Sequence, residues 1–219
     1  MLIPDASDHV ILSLSNPLPQ RDEEFSDWYV NSHIPDILDL PGAISGCLFQ
    51  AIIDDASWKY LSVFQLASGG VEAFLRESRS RLEGGKIVLC DALDIASTKL
   101  LVSARTASLP IMNFDTIILL GFSANQDEQF MQTLDAAPTI AAIERLMIRP
   151  ELSSNVRNWR SVALAEPLES SEPGISAALE MIDITTSRSG RALRAERIPF
   201  RRLFPAPSSG LEQLDAARF

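Results

Sequence analysis

The chain has 219 residues, 46% of them hydrophobic, and a formal net charge of −10 at pH 7. That is enough apolar content for one sizeable core or two small ones. So acidic a surface repels phosphate backbones and anionic lipid, which argues against nucleic acid and membrane surfaces as partners.

The acidic residues are scattered rather than blocked, so they read as ordinary solvation. No apolar run approaches the ~20 residues of a membrane span. The opening MLIPDASDHV has no basic region followed by an apolar core, and no secretory leader is expected. Cys47 and Cys90 sit in apolar, strand-like contexts with no metal or CxxC spacing. They read as small hydrophobes in a reducing cytoplasm, with a disulfide between them as the lesser alternative.

Taken in order, His9 to Asn16 alternates as a strand. Val10, Leu12 and Leu14 share one side, and Ile11, Ser13 and Ser15 the other. The second side is half polar, which suits a wall that meets water or a ligand. A helix begins near Asp22, Glu23 and Glu24, acidic residues that favour a helix N-terminus. Phe25, Trp28, Tyr29 and Ser32 fall on one helical face, with His33 at its edge. Pro35 predicts a helix end near His33, followed by a short extra turn through Leu38. Pro41-Gly42 then turns the chain into a strand over Ala43 to Ile53. Trp58 to Leu66 reads as its antiparallel partner. Val71 to Leu82 is predicted as a surface helix stopped by Gly84-Gly85, and Thr98 to Ala104 as a last strand. The element order is βαββαβ, which implies a four-stranded antiparallel sheet with both helices on one face.

The pattern then recurs. A strand is expected over Phe114 to Phe122, a helix over Asp127 to Ala136, and a strand over Ile140 to Ile148. Asn158-Trp159-Arg160 matches Ser57-Trp58-Lys59 ahead of a further strand. Pro173 to Ile182 gives a second helix, and Arg194 to Phe204 a closing strand. The expected division is 1–106, a linker 107–113, a second unit 114–204 and a C-terminal arm 205–219. A different α+β domain in the second half is the alternative.

Trp28 to Gly42, WYVNSHIPDILDLPG, together with CDALD (Cys90 to Asp94), resembles the ferredoxin-like dimeric α+β barrel superfamily, in particular its EthD-like and related bacterial branches. The resemblance covers Val10 to Ala104 by motif and the second half by topology. It implies two units whose sheets form one barrel, within a single chain as a pseudo-dimer or in a homodimer. Members bind small apolar or aromatic molecules in a cavity between sheet and helices. Some are cofactor-free isomerases, cyclases or oxygenases, and others bind haem. Carried over by motif, the resemblance points to Trp28, Tyr29, His33 and Asp36, with Asp91 and Asp94 from the second segment.

From the residues themselves, His33 at a helix C-terminus would have its imidazolium favoured and a pKa near or above ~6.5, suited to proton transfer. Asp36 would orient it. The structural alternative is a helix-end histidine bonded to backbone carbonyls. Trp28 and Tyr29 would stack on an aromatic ligand, or simply pack helix on sheet. Asp91 is a substrate-side candidate, with turn and cap roles as the default for both aspartates. Trp58 and Trp159 read as edge packing. With two histidines in the chain and no clustered ligands, no metal is expected. No cofactor is called for, and haem on His33 stays open. The second half has Ala136-Ala137-Pro138 where His33 stands in the first. The Arg188–Arg202 stretch would clamp an anion or pair with the acidic first half. A non-catalytic binding or stress-associated barrel is the competing reading of function.

Overall fold

Alternation along the strands sorts the apolar residues into three cores. The computed structural model describes residues 9–105, 113–122, 132–134, 136–153, 159–188 and 196–204. In chain order the elements are β1 (His9–Ser15), α1 (Asp22–Trp28), a π-helical turn (Tyr29–His33), α2 (Ile34–Leu38), β2 (Ala43–Ala51), β3 (Tyr60–Leu66), α3 (Val71–Glu83) and β4 (Lys99–Arg105). There follow β5 (Thr116–Phe122), β6 (Ile140–Ile148), β7 (Ser161–Pro167), α4 (Glu172–Arg188) and β8 (Glu196–Phe204). The fold is α+β, and its strands close into one barrel in the order β1-β3-β2-β8-β5-β7-β6-β4. Every pairing is antiparallel.

The first core contains residues from all eight strands, among them Val10, Leu12, Phe49, Leu101, Leu119, Leu146, Leu164 and Phe200. Only the barrel lumen can collect one face of every strand, so the lumen is packed with side chains. The second core lies outside the barrel. It joins Ile11, Leu48, Phe64 and Val102 of the sheet to Phe25, Tyr29, Ile34 and Phe74 of the helices. The third does the same for the second half, with Ile118 and Leu120 against Ala178 and Ile182. Period-two alternation in β1 assigns Val10, Leu12 and Leu14 to the lumen and Ile11 to the helix side.

Several ends differ from the sequence reading. The second strand stops at Ala51, and the third starts at Tyr60. Trp58 is spent closing one end of the lumen, where its ring meets Trp159 edge-on at 5.6 Å. The Lys99 ammonium lies over both indoles, 4.2 and 5.0 Å from their centres. α4 runs on past Ile182 to Arg188. The helix expected over 127–136 lies largely outside the described residues, of which 132–134 are helical. The expected arm 205–219 and all of the linker except Asn113 also lie outside them.

Gly121 of β5 leaves room for the Trp159 indole. A Cβ built there would collide with three ring atoms. Gly121→Ala is therefore expected to lower unfolding stability by roughly 1–2 kcal/mol through overpacking, as read by urea denaturation.

Candidate functional site

The helix carrying the aromatic face does not stop at His33. Pro35 has no N–H to give the Asn31 carbonyl, so an ordinary α-turn cannot pass through this point. Instead the Ile34 N–H reaches the Tyr29 carbonyl, five residues back. This widened turn takes up the proline and the chain continues into α2. The expected helix C-terminus at His33 is thus replaced by a π-turn inside a longer helical run.

On that run the rings form a contiguous cluster. Phe25 is fully buried and lies 5.3 Å from Tyr29 and 4.8 Å from Tyr60, centre to centre. Tyr29 meets Trp28 edge-on at 5.4 Å. The His33 ring completes a triangle with them, 4.7 Å from Trp28 and tilted by 31°, and 4.8 Å from Tyr29 at 68°. Trp28 is half-buried, and its Nε1–H donates to the Val88 carbonyl at 3.2 Å.

Tyr29 is buried, and its hydroxyl lies 2.7 Å from Ser62 Oγ. Ser13 is a second hydrogen-bonding neighbour of that hydroxyl. Burial pushes the phenol up to about 12, against the opposing pull of the two serines, so it stays protonated. Ser13 and Ser62 face each other across the β1–β3 ladder. Ser62 was missed in the sequence reading, although the half-polar face of β1 already marked its partner.

His33 keeps some exposed edge, but its Nδ1 is enclosed and has no hydrogen-bond partner. Desolvation between the aromatic rings lowers its pKa to about 4. The expected shift was in the opposite direction. It depended on a helix C-terminus, and with that end displaced to Leu38 dehydration is left to dominate. The imidazole is neutral at pH 7.

The other candidates fall in two places. Asp36 is half-buried on α2, one turn along from His33, and no hydrogen bond joins the two. Asp91 is exposed, at the opposite end of the helical run, and it is its carbonyl that is used, accepting from Arg21 at 2.8 Å. Asp94 closes a local turn, accepting from the Ala96 N–H at 3.1 Å. CDALD thus ties its loop to the end of β1 and the start of α1, where Asp94 N–H also bonds to Asn16. Of the predicted set, the structure brings together Trp28, Tyr29 and His33, and leaves Asp91 apart.

Cys47 and Cys90 are both thiols, with no disulfide between them. In the basic stretch, Arg197 pairs with Asp183, and Arg202 donates to the Phe114 carbonyl at 2.9 Å with Asp115 at 3.9 Å. Among the described residues, both of these carboxylates belong to the second half. A depression of about 210 Å³, lined by Pro138, Thr139, Leu168, Glu169, Pro173, Gly174 and Ala177, lies in the second half and includes none of the aromatic cluster. Among the described residues no three His, Cys, Asp or Glu side chains group to hold a metal, and no helix is long and apolar enough to cross a membrane. Haem does not fit His33. A ligating histidine gives its second ring N–H to a partner that orients it, and Nδ1 here has none.

No family model and no curated protein matches the sequence. Solved structures of similar fold do exist. An anthrone oxidase-like protein superposes with a TM-score of 0.61 at 12% identity, over 94% of this chain and 95% of its own. A candidate chlorite dismutase gives 0.53 at 11%, over 90% and 95%. A candidate monooxygenase from Fusobacterium nucleatum subsp. nucleatum gives 0.50 at 10%, over 94% and 97%. At such identities the likeness establishes the α+β barrel fold, which hosts many functions.

Proposed function

We propose that this chain is a small-molecule-binding α+β barrel built from two ferredoxin-like units in tandem, a pseudo-dimer within one chain. Support for the tandem reading is the strand order. It reads β4-β1-β3-β2 in the first half and β8-β5-β7-β6 in the second, the same arrangement of successive strands. In this reading the first unit takes an uncharged apolar or aromatic molecule at the face formed by Trp28, Tyr29 and His33. His33 is its proton carrier and acts as a base, and Asp36 is its nearest carboxylate along the chain. The observation that carries the reading is the enclosed, unpartnered nitrogen of a neutral imidazole set among aromatic rings. Removing a proton from carbon is the step shared by isomerisation, cyclisation and cofactor-free oxygenation.

Anthrone, a neutral aromatic ketone with an acidic methylene, is a suitable probe. The protein is expected to accelerate exchange of those protons into D2O, followed by NMR. His33→Ala should lower the acceleration about a hundredfold, the usual worth of a positioned base. Tryptophan fluorescence reports whether the probe still binds. The competing reading, a binding barrel without chemistry, draws support from the Tyr29 hydroxyl being satisfied internally by Ser62. Probe binding without accelerated exchange would favour it.

A further inference from the structure

The register of the two half-barrels permits a comparison within one molecule. Ser13 and Ser62 are cross-strand partners in β1 and β3. The corresponding ladder in the second half is β5–β7, where Ile11↔Phe64 is matched by Ile118↔Ala165. Two residues further along each ladder, Ser13↔Ser62 is matched by Leu120↔Ala163. Both pairs face the helices, since Leu120 and Ala163 belong to the core under α4. The same scaffold therefore fills this position once with apolar groups and once with two hydroxyls. Leu120 and Ala163 are fully buried, so an apolar solution is available here and packs well.

A buried hydroxyl left without a partner costs about 1–3 kcal/mol, so the fully buried Ser62, opposite the half-buried Ser13, calls for a close match. The match is the Tyr29 phenol, 2.7 Å from Ser62 Oγ. That bond fixes a ring that packs on His33 edge-on beside Trp28, the three ring centres forming a triangle with sides of 5.4, 4.7 and 4.8 Å. His33 Nδ1 has no hydrogen bond of its own to set its angle. Ring contact is left to do so.

We propose that Ser62 and Ser13 are positioning residues for His33, acting through the Tyr29 hydroxyl to hold the imidazole in its dry slot. This rests on the site reading above, but it makes a claim about His33 that needs no ligand. Ser62→Ala takes away the 2.7 Å partner of the phenol oxygen and leaves it Ser13 alone, so the ring is held less firmly. Tyr29→Phe removes the bond from its other end while the two serines still face each other. Either change admits water to the imidazole.

The test is an NMR pH titration of the His33 ring in the full chain. The wild-type ring is expected to titrate at about 4. In Ser62→Ala and in Tyr29→Phe it should move up by about one unit or more toward the ordinary ~6.5. The double variant should add little to Tyr29→Phe, because that change already removes the bond that Ser62→Ala breaks. A purely structural role would lower Tm and leave the titration in place, and that result would overturn the proposal. If Ser62→Ala does not fold, Tyr29→Phe, which keeps ring and volume, gives the same reading alone. The anthrone exchange tests the site reading independently, since positioning can hold where exchange is not catalysed.

Discussion

Glu144→Ala is expected to lower the stability of this chain by roughly 3–5 kcal/mol. Glu144 is fully buried, and alternation with Leu146 and Ile148 turns it into the lumen. Its carboxylate takes a two-pronged bond from Arg105, whose Nε and Nη2 lie 3.1 and 3.2 Å from its two oxygens. The Arg105 side chain is itself 7% exposed, so removing the carboxylate takes a two-pronged charged partner from a guanidinium with little water to turn to. The pair also bridges β4 and β6, the pairing with only three registered partners, against four between β2 and β8. Losing it should open the barrel at its narrower seam. In a chain of this size the melting point should fall by roughly 6–20 °C, read by circular dichroism or calorimetry. A double change to well-packed apolar residues, Arg105→Met with Glu144→Leu, should recover most of that loss, because it removes both desolvated charges together. If Glu144→Ala melts within a degree or two of wild type, the ion pair is not what holds the seam.

The sequence carries the fold and part of the site, for definite reasons. Period-two alternation reports which side of a sheet a residue faces, and it separates Val10, Leu12 and Leu14 from Ile11, Ser13 and Ser15. Matching Trp58 with Trp159 pointed to a recurring strand start. It did not reveal that the two rings meet and share Lys99, since closure of a barrel is a long-range event that neither segment encodes alone. Glu144 was legible in principle. It is the one charge at a lumen parity position in Ile140–Ile148, but an isolated acid in a strand reads as an edge until its partner strand is known. Pro35 reads as a helix end near His33 with a separate short turn through Leu38, because local sterics disfavour an α-turn there; the turn to Leu38 is present, but the break before it is not. Those sterics do not forbid a π-turn, and packing of Ile34 and Ile37 in the helix-side core favours continuing the helix. That one local choice inverted the electrostatics of His33. A dipole argument depends on where the helix ends, whereas desolvation depends on which rings close around the imidazole.

The inverted pKa has a consequence for stability that distinguishes His33 from the carboxylates around it. In the unfolded chain the ring titrates near the ordinary ~6.5, and in the folded chain at about 4. Between those values the unfolded state binds the extra proton, so stability rises with pH across this window. The contribution is fully present above ~6.5 and is lost as pH falls toward 4. Lowering the pH from 7 to 5 should cost on the order of 2 kcal/mol through this ring alone. Acidic residues also begin to titrate in that range, so the informative quantity is a difference between proteins. Urea unfolding of wild type and His33→Gln at pH 7 and pH 5 isolates it, since glutamine keeps a polar side chain without the proton. The wild type should lose roughly 2 kcal/mol more than the variant over that interval. Equal losses would mean that the ring is hydrated in the folded protein and titrates as it does unfolded. The dry slot that the ring contacts imply would then be absent, since dehydration is what makes protonation of this ring unfavourable below the ordinary ~6.5.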